Sequence, residues 1–317
     1  MKIIIIIFFS FLTCAISAQE PSFSQYFQTP LLINPANAGS SYHPWKFNNI
    51  FKQQRFGQDV SFNSGITSVD FAPITNSGFG FGTIFLYDQT LGGIVKNVTS
   101  SLNLSFSVFL DEENLNKLSI GFAGIYGNRR IDFNKLSFGN QFITSGGFDQ
   151  TIASGESKYN SSVGYFTTGS GLIFNHSQND FSYEIGVGGF NLNKPKASLL
   201  NDTLNTIDKR FTASGKLLFT TKNKGLVEFN SVFQLQHYAH YFEIGAMYNH
   251  NYFLSEGNAS FIGGLFFKSN YMIAPLIGIK TSGLQIMCSY DINLNLNNTN
   301  YLIPKTFEIS LNLFPKN

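Results

Sequence analysis

Few residues in this chain are of types that could do chemistry. The five histidines are His43, His176, His237, His240 and His250. Two of them stand close together in "HYAH" (His237–His240), a spacing that could bring two metal ligands near one another. A metal centre needs further ligands in a defined geometry, and no cysteine or carboxylate cluster adjoins the pair. A structural or solvated role is the better reading. A hydrolase would need a nucleophile, a base and an orienter within hydrogen-bond reach. His176 lies beside Ser177 in "NHSQND" (Asn175–Asp180), but that stretch falls where a turn is expected and nothing else marks an active site. "GFGFG" (Gly78–Gly82) has the look of a phosphate loop without its helix or its lysine. Alternating glycine and aromatic is a common barrel-strand pattern. The sequence therefore predicts no catalytic residue, no metal ligand and no cofactor.

The remaining chemistry is electrostatic. Glu184, Lys216, Glu228, Glu243, Asp291 and Glu308 sit in stretches where polar and apolar residues alternate. From Val98, the residues Leu102, Leu104, Phe106, Val108 and Leu110 share one face. Thr99, Ser101, Asn103, Ser105 and Ser107 share the other. That is the period of a strand. The pattern recurs near 118, 181, 226, 242, 284 and 307. About fourteen such segments are predicted, over 45–55, 60–71, 78–88, 97–110, 117–128, 160–175, 180–190, 209–220, 225–236, 240–250, 259–268, 271–280, 283–294 and 304–315. The twelfth contains Pro275, which removes a ladder donor. Strands of a sandwich average about 5–6 residues, whereas strands that cross a membrane need about 9–11. The lengths favour a transmembrane barrel.

A packed core would be heavily penalised by mid-strand carboxylates, and a wet lumen would not. The six charges are expected to form an inner network or to face lumenal water. On this register an arginine at Leu104 should cost about 2–4 kcal/mol near mid-membrane, and one at Ser105 much less.

Composition agrees. Charged residues are only 13% and phenylalanine numbers 35, against about 25% charge in a typical soluble domain. A net charge of +2 gives no field suited to nucleic acid. Lys2, the apolar run Ile3–Leu12 and the small residues Ala15, Ser17 and Ala18 predict a secretory signal over 1–18. Cleavage after Ser17 or Ala18 fits equally well. Thr13 before Cys14 is a poor match to a lipoprotein signal. Only Cys288 then remains, so no intrachain disulfide is expected. If the N-terminus is periplasmic, the connections near 72–77, 111–116, 176–179, 221–224, 251–258 and 281–282 are the short periplasmic turns. The long connections near 129–159 and 191–208 then lie outside.

Between leader and first strand stands "QEPSFSQYFQTPLLINPANAG" (Gln19–Gly39). Its prolines oppose helix and favour extended geometry before them. Phe23, Tyr26, Phe27, Leu31 and Leu32 call for burial. Residues 19–44 are therefore expected to form an ordered periplasmic or plug-like segment, packed inside the periplasmic mouth or over its rim, with the barrel over 45–317.

"PSFSQYFQTPLLINPANAG" (Pro21–Gly39) resembles the opening of the PorP/SprF family of Bacteroidetes outer-membrane proteins. The matching positions are Pro21, Phe23, Ser24, Gln25 and Tyr26, then Asn34, Pro35, Ala36, Ala38 and Gly39. "LSIGFAGIYGNRRIDFNKL" (Leu118–Leu136), "NLNKP" (Asn191–Pro195) and "SYDINL" (Ser289–Leu294) also match, and the resemblance spans nearly the whole mature chain. Asn295–Leu296–Asn297 departs from it, since family members often have serine and leucine there. The resemblance implies a non-catalytic role in type IX secretion, in some bacteria linked to gliding. Its implied partners are outer-membrane lipid, proteins of the secretion machinery and a secreted surface protein or adhesin. The motif residues would then contact the partner or plug the barrel. The rival reading is a plugged transporter or pore for small hydrophobic molecules.

Overall fold

The computed structural model describes residues 22–40, 43–56, 60–72, 78–143, 146–149, 151–153, 155, 161–199, 205–222, 225–254, 257–294 and 304–315. The predicted signal over 1–18, Pro21 and the departure at Asn295–Asn297 lie outside them. The strands are β1 (Trp45–Phe56), β2 (Val60–Phe71), β3 (Phe79–Thr90), β4 (Val95–Phe109), β5 (Asn116–Ile131), β6 (Phe142–Ile143), β7 (Gly147–Phe148), β8 (Ser162–Gln178), β9 (Phe181–Phe190), β10 (Arg210–Thr220), β11 (Leu226–Gln236), β12 (Ala239–Leu254), β13 (Gly257–Lys268), β14 (Met272–Lys280), β15 (Leu284–Asn293) and β16 (Lys305–Leu313). Fourteen of them close into an antiparallel barrel in chain order, with β16 returning to β1.

The expected segments are these strands, with ends displaced by a few residues. The largest displacement is the turn expected at 251–258, most of which is strand: β12 runs to Leu254 and β13 begins at Gly257. Pro275 is accommodated by a gap. The β14–β15 ladder pairs Ile273 with Ile292 and Leu276 with Ser289, and skips Ala274 and Pro275. The long connection after β5 carries a further hairpin, β6–β7, with the Phe142 and Phe148 rings 5.4 Å apart. Two-residue strands have no periodicity to read.

Side-chain alternation fixes the register, because a shift of one residue would exchange the faces. Leu104 is 54% exposed and Phe106 41%, while Asn103 is 1% and Ser105 4%. Apolar side chains thus cover the outside of the barrel, as lipid requires. The end carrying Trp45 and Leu313 has the short turns and is the periplasmic end by the usual asymmetry of such barrels. The connections 132–161 and 191–209 lie at the other, outer end.

The wet-lumen expectation needs correction. From β11 to β15 the inner face carries an apolar patch among its buried polar groups. Val232, Phe266, Ala274, Leu276 and Met287 are buried there, with Met247 packed against them. What they bury against is the segment before β1.

Candidate functional site: a lumenal plug

Residues 22–40 lie in the lumen as three single turns of 3-10 helix, Tyr26–Gln28, Pro30–Leu32 and Pro35–Asn37. The prolines that exclude a long helix begin the second and third turns, where a missing N–H costs nothing. Asn34 caps the third turn: its backbone is extended and its Oδ1 accepts from the Ala36 N–H at 2.9 Å.

The direction of this plug follows from its contacts. Ser22 gives its carbonyl to Lys52 Nζ in the outer half of β1. Gly39 donates its N–H to Asp70 at 2.6 Å, near the periplasmic end of β2. The plug therefore crosses the lumen at mid-height, deeper than a cover over the periplasmic mouth. A cavity of about 480 Å³ lies on its periplasmic side and one of about 660 Å³ on its outer side, with Leu31 bordering both.

Its first half is held by polar and charged groups. The Ser24 and Gln25 N–H groups donate to the Glu308 carboxylate at 2.8 and 3.1 Å. Ser24 Oγ donates to Asp291 Oδ1 at 2.8 Å, and Lys268 Nζ reaches Asp291 Oδ2 at 2.7 Å and Ser24 Oγ. Lys52 lies 3.9 Å from Glu308. Gln25 Nε2 donates to Ser289 Oγ at 3.0 Å, and Gln28 Oε1 accepts from Asn312 at 2.6 Å. Tyr26 and Phe27 pack on Phe266, with the Phe27 and Phe266 rings stacked at 5.0 Å. Phe23 and Leu31 pack with Ile50, Ile66, Ile84 and Leu86 on the inner faces of β1 to β3.

The second half is held by backbone. Asn34 Nδ2 donates to the carbonyls of Leu172 on β8 and Val187 on β9, both at 3.0 Å. Thr212 Oγ1 donates to the Ile33 carbonyl at 2.6 Å, and Ser105 Oγ to that of Ala38. Here the wall is glycine. A Cβ on Gly121 would stand 2.2 Å from the Ala36 nitrogen, and one on Gly80 2.0 Å from the Ala38 oxygen. Only glycine lets the two backbones meet so closely. "GFGFG" thus has a packing role at Gly80. The cheaper arginine expected at Ser105 does not hold, because that side chain meets the plug rather than water.

The six predicted charges fall into two groups. Glu243, Asp291 and Glu308 are buried beside the plug with Lys52 and Lys268. The Glu243 carboxylate also accepts from the Tyr241 hydroxyl. Lys216 and Glu228 pair at 3.3 Å at the periplasmic cavity, where Glu184 stands opposite Lys216 in the β9–β10 register. Sequence reasoning missed Lys52 and Lys268, although both lie on inward positions of their strands.

The histidines are scattered. His237 pairs with Asp208 at 2.9 Å, His176 meets Asn116 at 2.8 Å and His43 stacks on Phe314 at 4.5 Å. Burial, with Lys280 and Lys46 nearby, holds the His43 imidazole below the ordinary histidine range. Among the described residues no three of His, Cys, Asp or Glu come close enough to hold a metal ion.

A closed fourteen-stranded barrel, apolar outside and carrying a folded segment in its lumen, is an outer-membrane β-barrel. The type IX secretion system membrane protein PorP/SprF family matches residues 15–313, and the chain belongs to that family. No curated protein matches it. Solved structures similar to it include the toluene transporter TbuX of Ralstonia pickettii, at 8% identity over 91% of this chain and 94% of that one, TM-score 0.54. The CymD monoaromatic hydrocarbon channel is similar at 8% identity over 92% and 93%, TM-score 0.52. At such identity these likenesses speak for the barrel fold alone. Family membership makes the chain an outer-membrane component of type IX secretion.

Proposed function

We propose that the chain is a non-catalytic partner barrel of the type IX machinery, supporting export or surface attachment of a secreted protein such as a large adhesin. Its plug, residues 22–40, keeps the lumen shut and the barrel rigid for protein contacts. The observation that carries this reading is the attachment of the plug to opposite walls, to Glu308 and Asp291 on one side and to Leu172, Val187 and Thr212 on the other. A segment fastened on both sides suits a scaffold better than a pore. A role in gliding would follow from the identity of the exported partner. The second reading, a transporter for small hydrophobic molecules, draws on the apolar outer cavity.

The test compares secretion of the cognate surface protein by two deletions at equal outer-membrane abundance. One removes residues 21–39 and keeps the signal; the other removes part of the 133–160 connection. Loss of secretion with the plug deletion supports the proposal. Full secretion by it would reduce the segment to a leader and shift partner contact to the outer connections. Uptake of a hydrocarbon by the intact barrel would favour the transporter.

A further inference from the structure

The outer cavity is a blind chamber. Its floor is Leu31 and Leu32 of the plug, and its walls include Leu86, Ile125 and Phe190. Leu199 and Ile207 reach in from the 191–209 connection, which is braced by the Lys196–Thr206 bridge and by the Ile207 N–H on the Pro195 carbonyl at 2.9 Å. At about 660 Å³ it falls within the roughly 300–1,000 Å³ of small-molecule sites, which pair an apolar lining with a few polar groups.

The polar groups are unbalanced in sign. Among the described residues, Lys52, Arg129 and Arg210 line the chamber against a single carboxylate, Asp88. Lys52 is answered by Glu308 at 3.9 Å. Arg210 lies over the Phe190 ring at 4.3 Å and donates to the Leu32 carbonyl at 3.1 Å. Asp88 accepts from Ser64 at 2.6 Å. Arg129 makes one hydrogen bond, from Nε to Asn97 Oδ1 at 3.1 Å, and is in no ion pair among the described residues. Its terminal nitrogens keep their capacity for a carboxylate, which a guanidinium can bind in two-pronged fashion. A neutral hydrocarbon would fill the apolar volume but leave this cation desolvated without a counterion.

We infer that the outer chamber binds an apolar monoanion, an alkyl chain ending in a carboxylate. The chain lies against Leu86, Ile125 and Phe190 and the carboxylate at Arg129. The plug closes the far end, so the ligand is held rather than conducted. This site stands independently of the secretion role.

The probe is decanoate, with decanol as its neutral counterpart, titrated by calorimetry onto the full chain in phosphatidylcholine nanodiscs. Empty nanodiscs supply the background. Saturable one-to-one binding of decanoate is expected, at least tenfold tighter than decanol. Arg129→Gln should weaken decanoate at least tenfold and leave decanol unchanged. Ile125→Trp, which fills the chamber, should weaken both. Equal binding of decanol and decanoate, undiminished decanoate binding by Arg129→Gln, or binding no greater than to empty nanodiscs would overturn the assignment. If Ile125→Trp fails to fold, the contrast between the two probes on Arg129→Gln decides alone.

Discussion

The two halves of the plug are fastened by different physics. Ser24 to Gln28 is held by carboxylates, lysines and amides that reach inward from β1, β13, β15 and β16. Asn34 to Gly39 lies on a wall rich in glycine, where β3, β5 and β9 bring glycines against the plug's backbone and Gly171 of β8 meets the Asn34 side chain. The charged half depends on keeping opposite partners together in a buried place. Removing one partner strands the other, and that costs far more than the net worth of the pair. The glycine half depends on empty space. It should tolerate the loss of a hydrogen bond better than the gain of a few carbons.

Substitutions at four positions probe this division, and reversible folding in detergent or lipid reads each of them. Glu308→Leu should have the largest effect, about 3–5 kcal/mol, because Lys52 and the Ser24 and Gln25 N–H groups lose their partner in a buried site. Glu308→Gln, which keeps an acceptor, should recover part of the loss. Gly121→Leu should cost about 1–3 kcal/mol by overpacking, and it should free the second half of the plug while Ser24 stays bound. Asn34→Ala removes the cap and two donations to the wall, and about 1–2 kcal/mol should follow. If it proves costlier than Gly121→Leu, hydrogen bonding rather than fit holds the second half. Lys216→Met breaks a half-solvated pair away from the plug and should cost no more than about 1 kcal/mol.

Much of the barrel was legible because lipid demands apolar residues on every outward position, so period 2 survives in β4, β5 and β16. It blurred in the twelfth strand, β14, where Ala274 and Leu276 are apolar toward the lumen while Pro275 opens the ladder. The apolar patch inside the barrel has no such signal: Phe266 and Met287 face inward against Tyr26 and Phe27, a contact that no local pattern announces. The motif residues of the opening stretch could be seen as a group needing burial, but not their partners. Glu308 and Asp291 lie more than 260 positions away, and only barrel closure brings them to Ser24. Lys52 and Lys268 share the inward parity of the predicted charges and could have been found by extending that parity along β1 and β13. Gly80 and Gly121 carry no chemical signature, since their role is the side chain they lack.

The central claim is that residues 22–40 form a fixed partition across the lumen. Thr29 Oγ1 lies 2.5 Å from Asn48 Oδ1 in the periplasmic half of β1, and both residues are buried. Thr29→Cys with Asn48→Cys, in a Cys288→Ser background, should be joined by a short bis-thiosulfonate in the folded barrel, as peptide mapping by mass spectrometry would record. The thiol introduced by Thr29→Cys should also resist a bulky polar maleimide until the protein is unfolded. Rapid maleimide labelling of that thiol in the folded barrel, with no cross-link to the one introduced by Asn48→Cys, would contradict the partition.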